Sequence, residues 1–103
     1  MKPVNVLPAA YADLDEIWDH ISESNADAAD RVMREFERAF ERLARDPRIG
    51  HGHFCLAEQS GLPVYTLRKY LIIYNPAVKP LLVVAVIHGA RDPRSIAGVL
   101  ADR

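Results

Sequence analysis

The chain has little cysteine, no long apolar run and almost no net charge. Its 103 residues include a single cysteine, so no internal disulfide can form, and we expect a reducing compartment. The longest aliphatic run, Leu81–Ile87, is much shorter than the roughly 20 residues of a membrane-spanning helix. Residues Met1–Asn5 lack the long apolar core of a signal peptide. These absences predict a cytoplasmic protein without a membrane segment.

The charge balance limits the classes of partner. A formal net charge of −1 argues against a general nucleic-acid coat, because phosphate binding needs a clear basic excess. It does not exclude a local basic patch. A composition that is 50% hydrophobic and 26% charged is typical of a globular protein. At this length we expect one domain, spanning residues 1–103, with a single core.

Two amphipathic helices are predicted in the first half of the chain. A short strand, Val4–Leu7, ends at Pro8, and from Ala9 apolar residues recur with helical spacing. Ser24 or Asn25 can cap the second helix, which ends near Arg45 before the stop signals Pro47 and Gly50. The apolar stripes include Leu14, Ile17, Trp18 and Ile21 in the first helix, and Ala29, Val32, Met33, Phe36, Phe40 and Leu43 in the second. The pair predicts an antiparallel helical hairpin that needs a partner layer.

Strands are predicted in the second half, and they supply that layer. The segments are Phe54–Ala57, which is weak, Val64–Leu67, Tyr70–Tyr74 and Leu81–Ile87. The short connection Arg68–Lys69 indicates an antiparallel pair, and the last run indicates a strand buried on both faces. Asp92 and Pro93 are typical of a helix start. The order β-α-α-β-β-β with a short C-terminal helix predicts an α+β fold, with the hairpin packed on a mostly antiparallel sheet.

A small polar cluster follows the most apolar strand. His88, Arg91 and Asp92 come where this strand leaves the core, and a rigid strand is a common way to place a site. The alternative is structural: Arg91 and Asp92 pair with each other or cap the next helix, and His88 packs.

A zinc site is an alternative interpretation of His51, His53 and Cys55. On a strand these three residues would share one face. Gly50 and Gly52 interrupt that strand, however, and no fourth ligand is evident. A Cys55–His88 nucleophile pair lacks an activating third group. We therefore predict no metal and no cofactor.

Three segments resemble a known family. Leu62–Val64, Tyr70–Tyr74 and Val86–Asp92 are together similar to the ParE/RelE superfamily of type II toxin–antitoxin toxins, and most similar to its ParE-like branch. The predicted order of elements resembles the RelE/ParE-like fold along the whole chain. One departure is that Gln59–Gly61 stands where many ParE-like chains carry an arginine, so no contact of that arginine is carried over.

The resemblance implies one of two activities. ParE-type toxins poison DNA gyrase, whereas RelE-type toxins cut mRNA in the ribosomal A site, using lysines and arginines on the central strands and a tyrosine near the C-terminus. Here Arg91 matches one such arginine, but the central strands offer Thr66, Leu71 and Ile73, and Ala97 is near the tyrosine's position. Cleavage of RNA also needs fixed positive charge at the phosphate. We therefore expect a gyrase inhibitor rather than an enzyme.

The same resemblance implies two alternative functions and a set of candidate binding residues. The alternatives are a ribosome-dependent mRNA endonuclease, with Arg91, His88, Arg68 and Lys69 as its catalytic candidates, and a non-toxic module that binds antitoxin. The predicted target-binding residues are His88, Arg91, Asp92, Arg94, Arg68 and Lys69. For Arg68–Lys69 the alternative is a solvated hairpin turn. The predicted residues for a cognate, ParD-like antitoxin are Trp18, Phe36, Phe40, Tyr70 and Tyr74, for which core packing is the alternative. DNA gyrase is the expected target, and we expect no sequence-specific nucleic-acid binding and no membrane partner.

Overall fold

The computed structural model describes residues 4–50, 62–90, 98, 100, 101 and 103. Its elements follow the predicted order: β1 (Asn5–Val6), α1 (Pro8–Ser22), α2 (Ala26–Arg45), a short 3-10 helix (Pro47–Ile49), β2 (Val64–Leu67), β3 (Tyr70–Asn75) and β4 (Leu82–His88). The predicted strand Phe54–Ala57 and the predicted helix start at Asp92 lie outside the described residues. Gly98, Leu100 and Ala101 are helical, as expected for the short C-terminal helix. No helix in the described part of the chain is long and apolar enough to cross a membrane.

The two helices lie close to their predicted positions, with α1 beginning at Pro8 rather than at Ala9. Helix α1 starts at Pro8, where the fixed φ of proline suits a first helical position and its missing N–H costs no hydrogen bond. Helix α2 is capped by Asn25, whose side chain accepts a hydrogen bond from the Ala28 N–H at 3.0 Å. It ends at Arg45, so the prediction of both helices is confirmed.

The four strands form one sheet in the order β1-β4-β3-β2. Strands β2 and β3, and β3 and β4, are antiparallel, whereas β1 runs parallel to β4. The prediction of a mostly antiparallel sheet is therefore confirmed. Strand β4 lies inside the sheet, and its residues Val83–Ile87 are buried, which confirms a strand buried on both faces.

Hydrophobic residues cover both faces of the sheet. On the helix-facing side, Phe36 and Leu43 of α2 pack with Ile72, Tyr74 and Val83 in one large cluster. A second cluster consists of Val64, Leu71, Ile73, Ala85 and Ile87, against which Leu62 and Leu100 pack. The helical hairpin thus rests on one face of the sheet, which confirms the predicted α+β fold.

Tyr74 connects the sheet to the end of the helical hairpin. Its hydroxyl donates to the Pro47 carbonyl at 2.6 Å and accepts from the Gly50 N–H at 3.1 Å. Burial raises the pKa of this hydroxyl, so it stays protonated as a donor. A Cβ atom on Gly50 would overlap the hydroxyl and lie 2.8 Å from Tyr74 Cε1. A glycine is therefore required at position 50 for this close approach.

Candidate functional site

The candidate site lies at the end of the sheet where β4 leaves the core. Tyr70 of β3 is paired in register with His88 of β4, and the Gly89 N–H donates to the Lys69 carbonyl at 2.7 Å. The β2–β3 turn, Arg68–Lys69, is therefore next to His88. The structure brings these three predicted target-binding residues to one end of the sheet. The others, Arg91, Asp92 and Arg94, lie outside the described residues.

His88 is exposed, and its ring orientation is set by two contacts. The ring meets the Tyr70 ring edge-on, with centroids 5.6 Å apart. Its Nδ1 accepts a hydrogen bond from the Ala90 N–H at 3.0 Å. In the neutral ring the proton is therefore on Nε2. His88 therefore lies outside the core, but its side chain is held in place by contacts with Tyr70 and Ala90.

Arg68 forms an ion pair with α2 across the turn. Its Nε and Nη2 donate to the two carboxylate oxygens of Glu35 at 2.8 and 2.6 Å. The hydrogen bond from Arg68 holds the pKa of Glu35 below its usual value, and the same contact raises the pKa of Arg68. Much of the charge of Arg68 is thus compensated inside the molecule, whereas the neighbouring Lys69 is exposed.

The Glu35–Arg68 pair predicts a pH-dependent contribution to stability. The pKa of Glu35 is lower in the folded chain, so the pair stabilises the fold above the unfolded pKa and loses this effect as pH falls through the folded pKa. We expect Glu35→Gln to lower Tm by a few degrees at most at pH 7 and to have less effect near pH 3. Thermal unfolding between those pH values measures this, with the exposed Glu37→Gln on the same helix as the control. An equal loss at both pH values would contradict the prediction.

A cleft opens beside His88, between α1 and β4. It has a volume of about 180 Å³ and is lined by Asp13, Glu16, Ile17, His20, Tyr70, Val86, Ile87 and His88. Its polar side chains include two carboxylates, two imidazoles and that of Tyr70. Neither lysine nor arginine is among its described lining residues, so these residues do not supply the fixed positive charge that RNA cleavage requires.

One wall of the cleft contains an ion pair that the sequence did not reveal. Arg103 donates to both carboxylate oxygens of Asp13, at 2.7 and 2.9 Å. Asp13 also accepts from the Val86 N–H at 3.0 Å, and Arg103 donates to the Val84 carbonyl at 2.9 Å. No local pattern could reveal a partner so distant in the chain.

The aromatic residues predicted to bind antitoxin are mostly in the core. Phe36, Phe40, Tyr70 and Tyr74 are buried, whereas Trp18 is half-buried. The Trp18 indole donates to Asp30 at 3.0 Å, so its polar end is on the surface. In the chain without a partner, Phe36, Phe40, Tyr70 and Tyr74 therefore pack in the core, as the alternative interpretation states. Of the predicted set, Trp18 retains accessible surface for an antitoxin, and the antitoxin role of the set stays a prediction.

The metal alternative has no counterpart in the part of the chain that the structure describes. No group of three or more histidine, cysteine, aspartate or glutamate side chains there could hold a metal ion. The candidate zinc ligands His51, His53 and Cys55 lie outside the described ranges.

Comparison with known proteins identifies the family. A family model described as "ParE toxin of type II toxin-antitoxin system, parDE" matches residues 4–93. The chain belongs to this family of ParE toxins. It is similar to the protein named Toxin ParE1 in two strains of Mycobacterium tuberculosis, with 32% identity over 87 residues in each case, covering 82% of this chain and 87% of the relative. The resemblance to the ParE-like branch is confirmed, and the family implies an antitoxin partner.

Proposed function

We propose that this chain inhibits DNA gyrase, blocks replication and is neutralised by a cognate antitoxin. The observation that carries the proposal is the match to the ParE toxin family along residues 4–93. Inhibition by binding needs a surface rather than a reacting group. The exposed end of the sheet, with Lys69 and His88, supplies such a surface.

The chemistry of the central strands supports an inhibitor over a ribonuclease. Leu71 and Ile73 are buried in the second hydrophobic cluster, so neither position can present a charged group to RNA. Thr66 is exposed but uncharged at neutral pH. The adjoining cleft contributes the carboxylate of Glu16, while that of Asp13 is already paired with Arg103. Within the described strands, the cations that would stabilise a cleaved phosphate are therefore not assembled.

The proposed target-binding surface is the sheet end and the sequence that follows it. It comprises Arg68, Lys69, His88, Arg91, Asp92 and Arg94. For the antitoxin we propose the helical hairpin, with Trp18 as the first contact. Phe36, Phe40, Tyr70 and Tyr74 become accessible to an antitoxin only where the packing between helices and sheet opens.

A DNA supercoiling and cleavage assay with purified gyrase tests the proposal. We expect antitoxin-free protein to cause linear, gyrase-cleaved DNA to accumulate. Arg91→Ala is expected to weaken the effect about tenfold, as for loss of a charged contact in an interface. Arg48→Ala is the control, because the Arg48 side chain is 94% exposed and its ion pair, at 3.7 Å, is with the nearby Asp46.

The other outcomes identify the alternatives. If gyrase is unaffected while expression still arrests growth, mRNA cleavage on ribosomes becomes the next assay, and the ribonuclease alternative is favoured. If the protein affects neither gyrase nor growth, it is a non-toxic module with the toxin fold. Equal activity of Arg91→Ala and Arg48→Ala would remove Arg91 from the target-binding surface.

A further inference from the structure

The β2–β3 turn has an unusual backbone for the residue that it contains. Arg68 has φ +54°, in the left-handed region that favours glycine, asparagine or aspartate in two-residue hairpin turns. Arginine has no backbone preference for this conformation. Its side chain gives a reason for its presence, because the guanidinium forms two charge-assisted hydrogen bonds with Glu35 of α2.

The turn is therefore held from two sides. On one side Arg68 fastens it to α2 through Glu35, which is partly shielded, with its side chain 30% exposed. On the other side the Lys69 carbonyl accepts the Gly89 N–H at 2.7 Å, which fastens it to the chain just after β4. The backbone of Lys69 thus has a fixed position next to Gly89, and Lys69 is exposed.

The two cations of the turn differ in what they can offer a partner. Arg68 already has a carboxylate within hydrogen-bonding distance, so binding another anion would require it to give up Glu35. Lys69 can bind an anion while the Arg68–Glu35 pair stays intact. Because the backbone of the turn is already held, only the side chain of Lys69 loses conformational freedom when it binds a partner.

We propose that Lys69, rather than Arg68, is the cation through which this turn binds an acidic surface of the target protein, and that Glu35 is a positioning residue acting through Arg68. The inference rests on the proposed function, since it assigns roles within the same target-binding surface. Arg68 is thereby moved from the contact residues to the support of the turn. A protein target fits better than DNA, because the chain's net charge of −1 is unsuited to phosphate binding.

The test compares two lysines at opposite ends of the sheet. Lys79 lies in the β3–β4 connection, is exposed like Lys69, and is remote from the Tyr70–His88 end. We expect Lys69→Glu to raise the concentration for half-maximal gyrase inhibition at least about tenfold and to reduce its salt dependence, with unchanged Tm. Lys79→Glu, with the same charge change, is expected to leave the inhibition within about twofold.

Positioning is tested by a double-mutant cycle. Glu35→Gln and Arg68→Gly are each expected to weaken inhibition about threefold, glycine being chosen because it adopts φ +54° freely. In a Lys69→Ala background, Glu35→Gln should have no further effect on inhibition, because the residue that it positions is gone. A merely structural role of Glu35 would weaken inhibition equally in both backgrounds, whereas the small loss of Tm expected for Glu35→Gln is common to both roles.

Each result decides between defined outcomes. Equal inhibition by Lys69→Glu and Lys79→Glu overturns the role of Lys69, and a greater loss from Arg68→Gly than from Lys69→Ala makes Arg68 the contact. If wild-type protein leaves gyrase unaffected but arrests growth, the proposed target is wrong. The same variants are then compared by growth arrest, where equal arrest by the two lysine variants overturns this inference separately. A wild-type protein that does neither overturns both proposals.

Discussion

Phe36→Ala is expected to lower the free energy of unfolding by about 3–5 kcal/mol. The Phe36 side chain is 1% exposed, and its ring lies 5.7 Å from that of Tyr70 and 6.3 Å from that of Phe40, centroid to centroid. Alanine would remove the contact between α2 and β3 and leave a cavity that the surrounding elements cannot fully close. A domain of this size has a total stability of only about 5–15 kcal/mol, so the variant is close to unfolding.

Urea denaturation followed by circular dichroism measures this loss. Val78→Ala is the control, since Val78 is 37% exposed and its truncation is expected to change stability by at most about 0.5 kcal/mol. A loss below about 1.5 kcal/mol for Phe36→Ala would contradict its position in the core. If stability were retained and only antitoxin affinity fell, the antitoxin role predicted for Phe36 would replace its core role.

Local patterns were sufficient for most of the elements. The i, i+3, i+4 spacing of α2 reflects one buried stripe, and Asn25 at its start is a cap that acts within three residues. The turn Arg68–Lys69 and the aliphatic run of β4 are equally local signals. Each of these features is determined by residues that are neighbours in sequence, which is why the sequence predicts them.

Contacts between distant residues could not be predicted in this way. The parallel pairing of β1 with β4 joins Asn5 to Leu82, and nothing near either residue indicates the other. The same holds for the Glu35–Arg68 pair, which joins α2 to the β2–β3 turn across 33 positions of the chain. The burial of Tyr70 and Tyr74 depends on how α2 lies on the sheet, so an aromatic pair on one strand face was compatible with either role.

Among the residues that the structure describes, the short first strand leaves part of β4 without a strand neighbour on one side. Strand β1 pairs with Leu82 and Val83 only, and the Val84 carbonyl and Val86 N–H face the Asp13–Arg103 pair instead. A buried edge must satisfy such backbone groups. One ion pair thus completes the edge of the sheet and joins it to α1.

Asp13→Ala is therefore expected to cost about 2–4 kcal/mol, a large effect for a helix residue with a polar side chain. The side chains of Arg103 and Asp13 are only 13% and 17% exposed, so the variant leaves a shielded guanidinium without its carboxylate. It also leaves the Val86 N–H without its acceptor. Asp15→Ala, at an exposed position on the same helix, is expected to change stability by at most about 0.5 kcal/mol.

A double-mutant cycle separates the ion pair from the loss of the helix side chain. Asp13 raises the pKa of Arg103 by hydrogen bonding, and the two side chains are in direct contact, so the effects of removing them should not add. The double variant Asp13→Ala with Arg103→Ala is expected to be about 1–3 kcal/mol more stable than the sum of the single losses predicts. Asp13→Asn should retain part of the stability, since its amide oxygen can still accept from Val86. Strict additivity would show that the edge of β4 is stabilised by other contacts and that the Asp13–Arg103 pair is incidental to it.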